Sequence, residues 1–167
     1  PLLHLAARLN LTSAQMWLAH NGPRGARANT HDRYPSPSWR PNRGWRVDQA
    51  PVFAHALQES NFRPEAVSPA GARGLMQVMP GTANQMARAR GETANLSQLN
   101  NPGVNMEYGQ TYLEWLRDQP GMQALLPRVI AAYNAGPRPI SEWNGRFDQS
   151  DPLLFIESIP YWETRGY

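Results

Sequence analysis

The sequence contains no cysteine, and every one of its 16 basic residues is arginine, so lysine is absent as well. Without cysteine there is no disulfide framework and no thiolate nucleophile, although that absence is compatible with any cellular compartment. Without lysine, the Gly-rich phosphate loop that ends in Lys cannot be formed. Charged residues make up only 17% of the chain, and no apolar run reaches membrane-spanning length. With 167 residues and 41% hydrophobic content, the composition is that of a soluble globular chain about one domain long. Also missing are an initiator Met, a leader at PLLHLAARLN, an internal repeat and any convincing alternating strand, so the chain reads as an all-α fragment of a longer protein.

The positive charge is unevenly placed. Residues 1–46 hold seven Arg against Asp32 alone, and residues 47–167 hold nine Arg against twelve acids. Guanidinium pairs bidentately with carboxylate and phosphate, so the basic front could grip an anionic polymer. Its arginines sit among prolines with no nucleic-acid reading motif, which favours a solvated surface or an acidic neighbour over a nucleic-acid partner.

The rest of the chain is organised around residues 51–83, PVFAHALQESNFRPEAVSPAGARGLMQVMPGTA. Asp48 is placed to cap a helix in which Pro51 is tolerated in the first turn, and this helix runs to Glu59 and Ser60. Val52, His55 and Ala56 lie seven, four and three residues before Glu59 and share its face, putting a carboxylate beside a largely apolar stripe. Desolvation and the negative end of the helix dipole would both raise its pKa, which suits a general acid. The plainer reading is a surface glutamate closing an amphipathic helix. After it, Pro64, Pro69, Gly71 and Gly74 enforce a loop, and Leu75 to Met79 is expected to form a short helical turn.

Elsewhere the signals are mostly local. Leu2 to Leu9 and a second segment opened by Thr12 or Ser13 predict a helical hairpin, with Met16, Trp17 and Leu18 buried. Residues 21–46 lose periodicity in Gly, Pro and Arg, and Tyr34, Trp39 and Trp45 suggest an aromatic strap. Asn101 with Pro102 opens the longest helix, to about Asp118, and another runs from about Pro127 to Tyr133. Pro139 to Trp143 reads as a short turn, and Asp151 with Pro152 opens a last helix. Residues 1–46 are thus expected to lead into a catalytic domain at 47–167.

His4, His20, His31 and His55 are scattered and the carboxylates unclustered, so no metal site and no cofactor are expected. No nucleophile-elbow sequence is present. What remains is one acid candidate and the hydrogen-bonding residues Ser60, Ser68, Gln77, Tyr133 and Asn134, with Met76 and Met79 as a soft wall. Such a set suits a carbohydrate.

QESNF at 58–62, SPAGARGLMQVMPGTA at 68–83, NPGVNMEYG at 101–109, AAYNAGP at 131–137 and ESIPYWETRGY at 157–167 resemble the ordered motifs of soluble lytic transglycosylases. The resemblance implies a lysozyme-like, goose-type-like catalytic domain following a long helical region. It implies Glu59 as the single catalytic acid, with Ser68, Gln77, Met79, Tyr133 and Glu163 against the glycan. It further implies non-hydrolytic cleavage of the MurNAc-β-1,4-GlcNAc bond of peptidoglycan, giving 1,6-anhydro ends during cell-wall turnover in the periplasm of a Gram-negative bacterium, with peripheral wall contact and no membrane insertion. Leu57 and His55 depart from the family's usual residues. Two rivals stay open: a hydrolytic muramidase with Asp48, Glu65 or Glu163 as second carboxylate, and a non-catalytic wall-binding module.

Overall fold

The computed structural model describes residues 2–22, 28–144 and 151–167. Among them are ten α-helices, one 3-10 turn and no strand, so the all-α class holds. Two isolated antiparallel bridges, Val67 to Arg73 and Arg73 to Val78, lie within the loop that follows Glu59. The chain divides into two compact units, Pro1–Tyr108 and Gly109–Tyr167.

In the first unit, α1 (Leu2–Arg8) and α2 (Thr12–Asn21) pack as the expected hairpin, turning at Asn10 with φ 55°. The buried face of α2 differs from expectation. Thr12 and Gln15 are buried, Met16 and Leu18 are half-buried, and Trp17 is 61% exposed. The reason is a polar contact that apolar periodicity cannot register: the Gln15 amide donates to the His31 carbonyl at 3.2 Å. His31 lies in α3 (Thr30–Arg33), a single turn inside the stretch that had lost periodicity. A reciprocal capping box makes it, Asn29 Oδ1 accepting from Asp32 N at 2.8 Å and Asp32 Oδ2 from Asn29 N at 3.1 Å.

The strap that follows is built as packing, with Pro35, Pro37 and Pro41 buried and Trp45 meeting Phe53 edge-on at 5.6 Å. Tyr34 is an exception, 59% exposed. Asn42 N donates to the Gly103 carbonyl at 3.1 Å, and a Cβ on Gly103 would lie 3.1 Å from the Arg40 carbonyl and closer still to the Asn42 side chain. A larger residue there would displace the Asn42 side chain and crowd the Arg40 carbonyl.

α4 (Gln49–Ser60) begins as read from sequence, with Asp48 Oδ1 accepting from Ala50 N at 2.8 Å. α5 (Pro80–Ala89) opens on proline, a 3-10 turn covers Leu96–Gln98, and α6 (Pro102–Arg117) is capped by Asn101 Oδ1, which accepts from Val104 N at 3.2 Å. Val52, Ala56, Leu75, Met76, Ala83, Met86, Leu99 and Met106 are almost wholly buried in this unit. Burying each of the larger ones contributes about 1.5 to 3 kcal/mol.

The second unit carries the rest of α6 with α7 (Leu126–Ala135), α8 (Pro137–Asn144), α9 (Pro152–Ser158) and α10 (Trp162–Gly166). α8 is two turns where a short turn was expected, and α10 is a helix that the YWETRGY ending does not announce. Asp151 Oδ1 caps α9 through Leu153 N at 2.8 Å, and Gly136, at φ 84°, ends α7. Arg128 is buried on α7, with its guanidinium 5.7 Å from the Phe155 ring and Nη1 donating to the Gly121 carbonyl at 3.1 Å. Burial lowers its pKa from the usual arginine range.

Candidate active site

Glu59 occupies the penultimate position of α4, half-buried, on the face whose other members Val52, His55 and Ala56 are buried. No basic side chain lies in that last turn. The helix stops because Asn61 turns left-handed at φ 51°, its N–H returning to the carbonyls of Ala56 and Leu57. Phe62 is left-handed too, at φ 58°, with its side chain buried and its N–H bonded to the Ala56 carbonyl at 3.1 Å. A left-handed phenylalanine costs on the order of 1 kcal/mol, which the buried ring and this bond offset.

Ser60 belongs to this ending rather than to a binding surface. Its buried hydroxyl donates to the Ala56 carbonyl at 3.0 Å and accepts from Arg63 N at 3.2 Å.

The loop from Asn61 to Met79 is bonded to itself at almost every step. Ser68 N donates to the Ala72 carbonyl at 2.9 Å, and Ser68 Oγ accepts from Ala72 N at 3.0 Å. Arg73 and Val78 exchange both backbone bonds at 3.1 and 2.9 Å across the turn Gly74–Gln77. This is a bridged hairpin turn, not the short helical turn expected at Leu75–Met79, because Gln77 is left-handed at φ 45° and cannot continue a helix. The Gln77 amide Nε2 donates back to the carbonyls of Gly74 at 2.9 Å and Ala66 at 3.3 Å. Met79, 40% exposed, leads into α5.

Two asparagines anchor this loop from outside. Asn100 Nδ2 donates to the Pro64 carbonyl at 2.8 Å. Asn105, wholly buried on α6, uses both amide hydrogens and its oxygen: Nδ2 donates to the carbonyls of Arg73 and Leu99, both at 2.7 Å, and Oδ1 accepts from Met76 N at 2.8 Å. Gly74 lies against it at φ 76°, and a Cβ there would come 2.6 Å from the Leu99 carbonyl and nearer to the Asn105 amide. Only glycine fits. Sequence reading missed Asn105, although an Asn inside the otherwise apolar Val104 to Met106 run was the available signal.

The remaining expected site residues belong to the second unit. Tyr133 is half-buried on α7, its ring 5.4 Å from Tyr112, which stacks at 5.7 Å on Trp115. Burial raises the pKa of Tyr112. Asn134 Oδ1 accepts from the buried Thr164 hydroxyl at 2.6 Å, tying the end of α7 to α10. Glu163 is the exposed neighbour of that threonine, in the first turn of α10. Ser68 and Gln77 are thus held in one self-bonded loop directly after Glu59, while the Asn134–Thr164 bond fixes the helix that carries Glu163.

Asp48, one candidate for a second carboxylate, is committed to capping α4 at its far end. Eleven residues of helical rise separate it from Glu59 by about 16 Å. That exceeds the roughly 5 to 9.5 Å between the two carboxyls of hydrolytic glycosidases.

Residues 39–156 match the family described as transglycosylase SLT domain. The soluble lytic murein transglycosylase of Salmonella typhimurium is 40% identical over 128 residues, 75% of this chain and 20% of that protein. A membrane-bound lytic murein transglycosylase C from Glaesserella parasuis is 36% identical over 121 residues, 68% of this chain and 32% of that protein. The chain spans about a fifth of the length of its soluble curated relatives, 20% and 19% for the first two. Among solved structures, the 70 kDa soluble lytic transglycosylase from Escherichia coli superposes with TM-score 0.81 at 31% identity, over 99% of this chain and 27% of that one. An inactive mutant of the lytic transglycosylase Slt from Pseudomonas aeruginosa, a glutamate replaced by glutamine, superposes with TM-score 0.79 at 29% identity, over the same shares.

Proposed function

From the premise that the chain belongs to the transglycosylase SLT domain family, we propose that it is the catalytic part of a peptidoglycan lytic transglycosylase with Glu59 as its one acid and base. The observation that carries this reading is the placement of Glu59. It ends a helix on that helix's buried face and is followed at once by a loop fixed by its own backbone bonds and by Asn105.

In the proposed reaction, protonated Glu59 donates to the oxygen linking N-acetylmuramic acid to N-acetylglucosamine as oxocarbenium character develops at the muramoyl anomeric carbon. The substrate's own acetamido oxygen stabilises that centre. Glu59, now ionised, takes the proton from the muramoyl C6 hydroxyl, whose oxygen attacks the anomeric carbon and closes the 1,6-anhydro ring. One bond breaks and one forms, with no water consumed.

Ser68, Gln77, Met79, Tyr133, Asn134 and Glu163 contact the glycan in this reading. Gln77 would do so through its carbonyl oxygen, since its amide nitrogen is bonded to the loop. No cofactor is required. The substrate lies in the periplasm of a Gram-negative bacterium, and among the described residues no helix is long and apolar enough to cross a membrane.

Mass spectrometry of soluble muropeptides released from purified peptidoglycan tests the reaction class. Products lacking the elements of water support the lyase. Reducing ends would make the chain a hydrolase and turn attention to Glu65 or Glu163 as second carboxylate, and no release at all would leave a wall-binding module.

A further inference from the structure

A groove of about 500 Å³ in the first unit runs between α2, the residue after α3 and the end of α4. Its lining includes Trp17, His20, Arg33, Tyr34, Leu57 and Arg63 and no acidic side chain. Leu57 precedes Glu59 by two residues, about 200° around the helix, so the groove faces away from the catalytic carboxylate.

Two features in combination recommend it as a binding surface. First, it gathers two large aromatic side chains, Trp17 and Tyr34, that are both more than half exposed. His20 fixes the rim, its Nδ1 donating to the Met16 carbonyl at 2.9 Å and its ring meeting Tyr34 edge-on at 6.3 Å. Second, Arg33 and Arg63 form no ion pair with a described residue, whereas Arg43, Arg46 and Arg90 in the same unit are paired with Glu92 or Glu107. Arg63 is also held in place, its Nε donating to the Ser60 carbonyl at 3.0 Å, and its Nη groups are not used by that bond.

We propose that this groove is a second, non-catalytic site that binds the stem peptide of peptidoglycan. The two guanidiniums take its carboxylates, and Trp17 and Tyr34 cover its aliphatic parts. The assignment rests on the proposed function for its choice of anion: among carboxylate-bearing chains, the stem peptide is the one attached to the glycan that Glu59 would cleave.

The test is an NMR titration of the intact chain with the tripeptide L-Ala-γ-D-Glu-meso-diaminopimelate, read at the backbone amides of Tyr34 and Leu57, which line the groove in wild type and in both variants. Wild type saturates, Arg33→Gln weakens binding about tenfold, the equivalent of one charge-assisted hydrogen bond, and Trp17→Ala weakens it about tenfold through lost apolar cover. Thermal melting confirms that both variants are folded, and Arg63 is left intact because it also holds Ser60. Equal binding of the peptide with its carboxylates esterified, an unchanged affinity in Arg33→Gln, or displacement by a DNA duplex would overturn the proposal. Turnover of peptide-free glycan strands by Arg33→Gln should equal wild type. If wild type leaves such strands uncut, the catalytic reading fails, while the titration, which needs no turnover, still decides the groove.

Discussion

The loop after α4 and the strap before it are both anchored on the first turns of α6, two residues apart, by opposite kinds of chemistry. Asn105 holds the loop with two neutral bonds, to Arg73 and Met76, and a third to the Leu99 carbonyl, in a site closed to water. Glu107 holds the strap with charge, accepting from Arg46 at 2.8 Å and from Arg43 N at 3.3 Å, and it also pairs with Arg90 at the end of α5 at 2.8 Å. A neutral anchor fixes each backbone group at a set distance and is indifferent to salt. An ionic one tolerates adjustment, and its arginines keep 20 to 30% of their side-chain surface in water. The loop proposed to carry the chemistry therefore has the anchor that is more exacting in distance and direction.

The largest expected effect breaks the neutral anchor. Asn105→Ala leaves the Met76 N–H and the Arg73 and Leu99 carbonyls buried without that partner, which costs on the order of 3 to 5 kcal/mol in urea denaturation. Loss of loop position should also cut turnover on peptidoglycan about 100-fold. Glu107→Gln should cost only about 1 to 2 kcal/mol, because water screens its arginine partners. Its turnover should stay within about twofold, and the stability gap should narrow as salt is raised. Equal loss of turnover in the two variants would erase the distinction.

A smaller effect sharpens it. His55 is buried on the Glu59 face, its Nδ1 donating to the Pro51 carbonyl at 2.7 Å, and desolvation lowers its pKa. Below about pH 6.5 the unfolded chain takes up a proton that the native His55 resists, so stability falls as pH drops through that value and is level above it. The slope from this one group is at most about 1.4 kcal/mol per pH unit, and denaturation series at several pH values should find it flattened in His55→Leu.

What could be read from the sequence was what is decided locally. Asp48 with Pro51, Asn101 with Pro102 and Asp151 with Pro152 start helices because cap and first-turn proline are neighbours in the chain. The placement of Glu59 on a buried helix face was legible for the same reason, from its spacing to Val52, His55 and Ala56. Asn105 and Glu107 were not, since a polar residue within a helix reads as solvent-facing until a distant backbone or guanidinium is known to meet it. Trp17 was misread by the converse error: its spacing fitted a core, but Gln15 takes the buried face by bonding the His31 carbonyl. The turn at Gly74–Gln77 was hidden because glutamine gives no sign of a left-handed conformation.

The central claim is that one carboxylate does both proton transfers, and Glu59→Gln tests it most directly. Turnover of purified peptidoglycan should fall at least about 1000-fold, as expected when a general acid and base is lost, while sedimentation with insoluble wall still shows binding. Cleavage within tenfold of wild type would contradict it and assign the chemistry to another group.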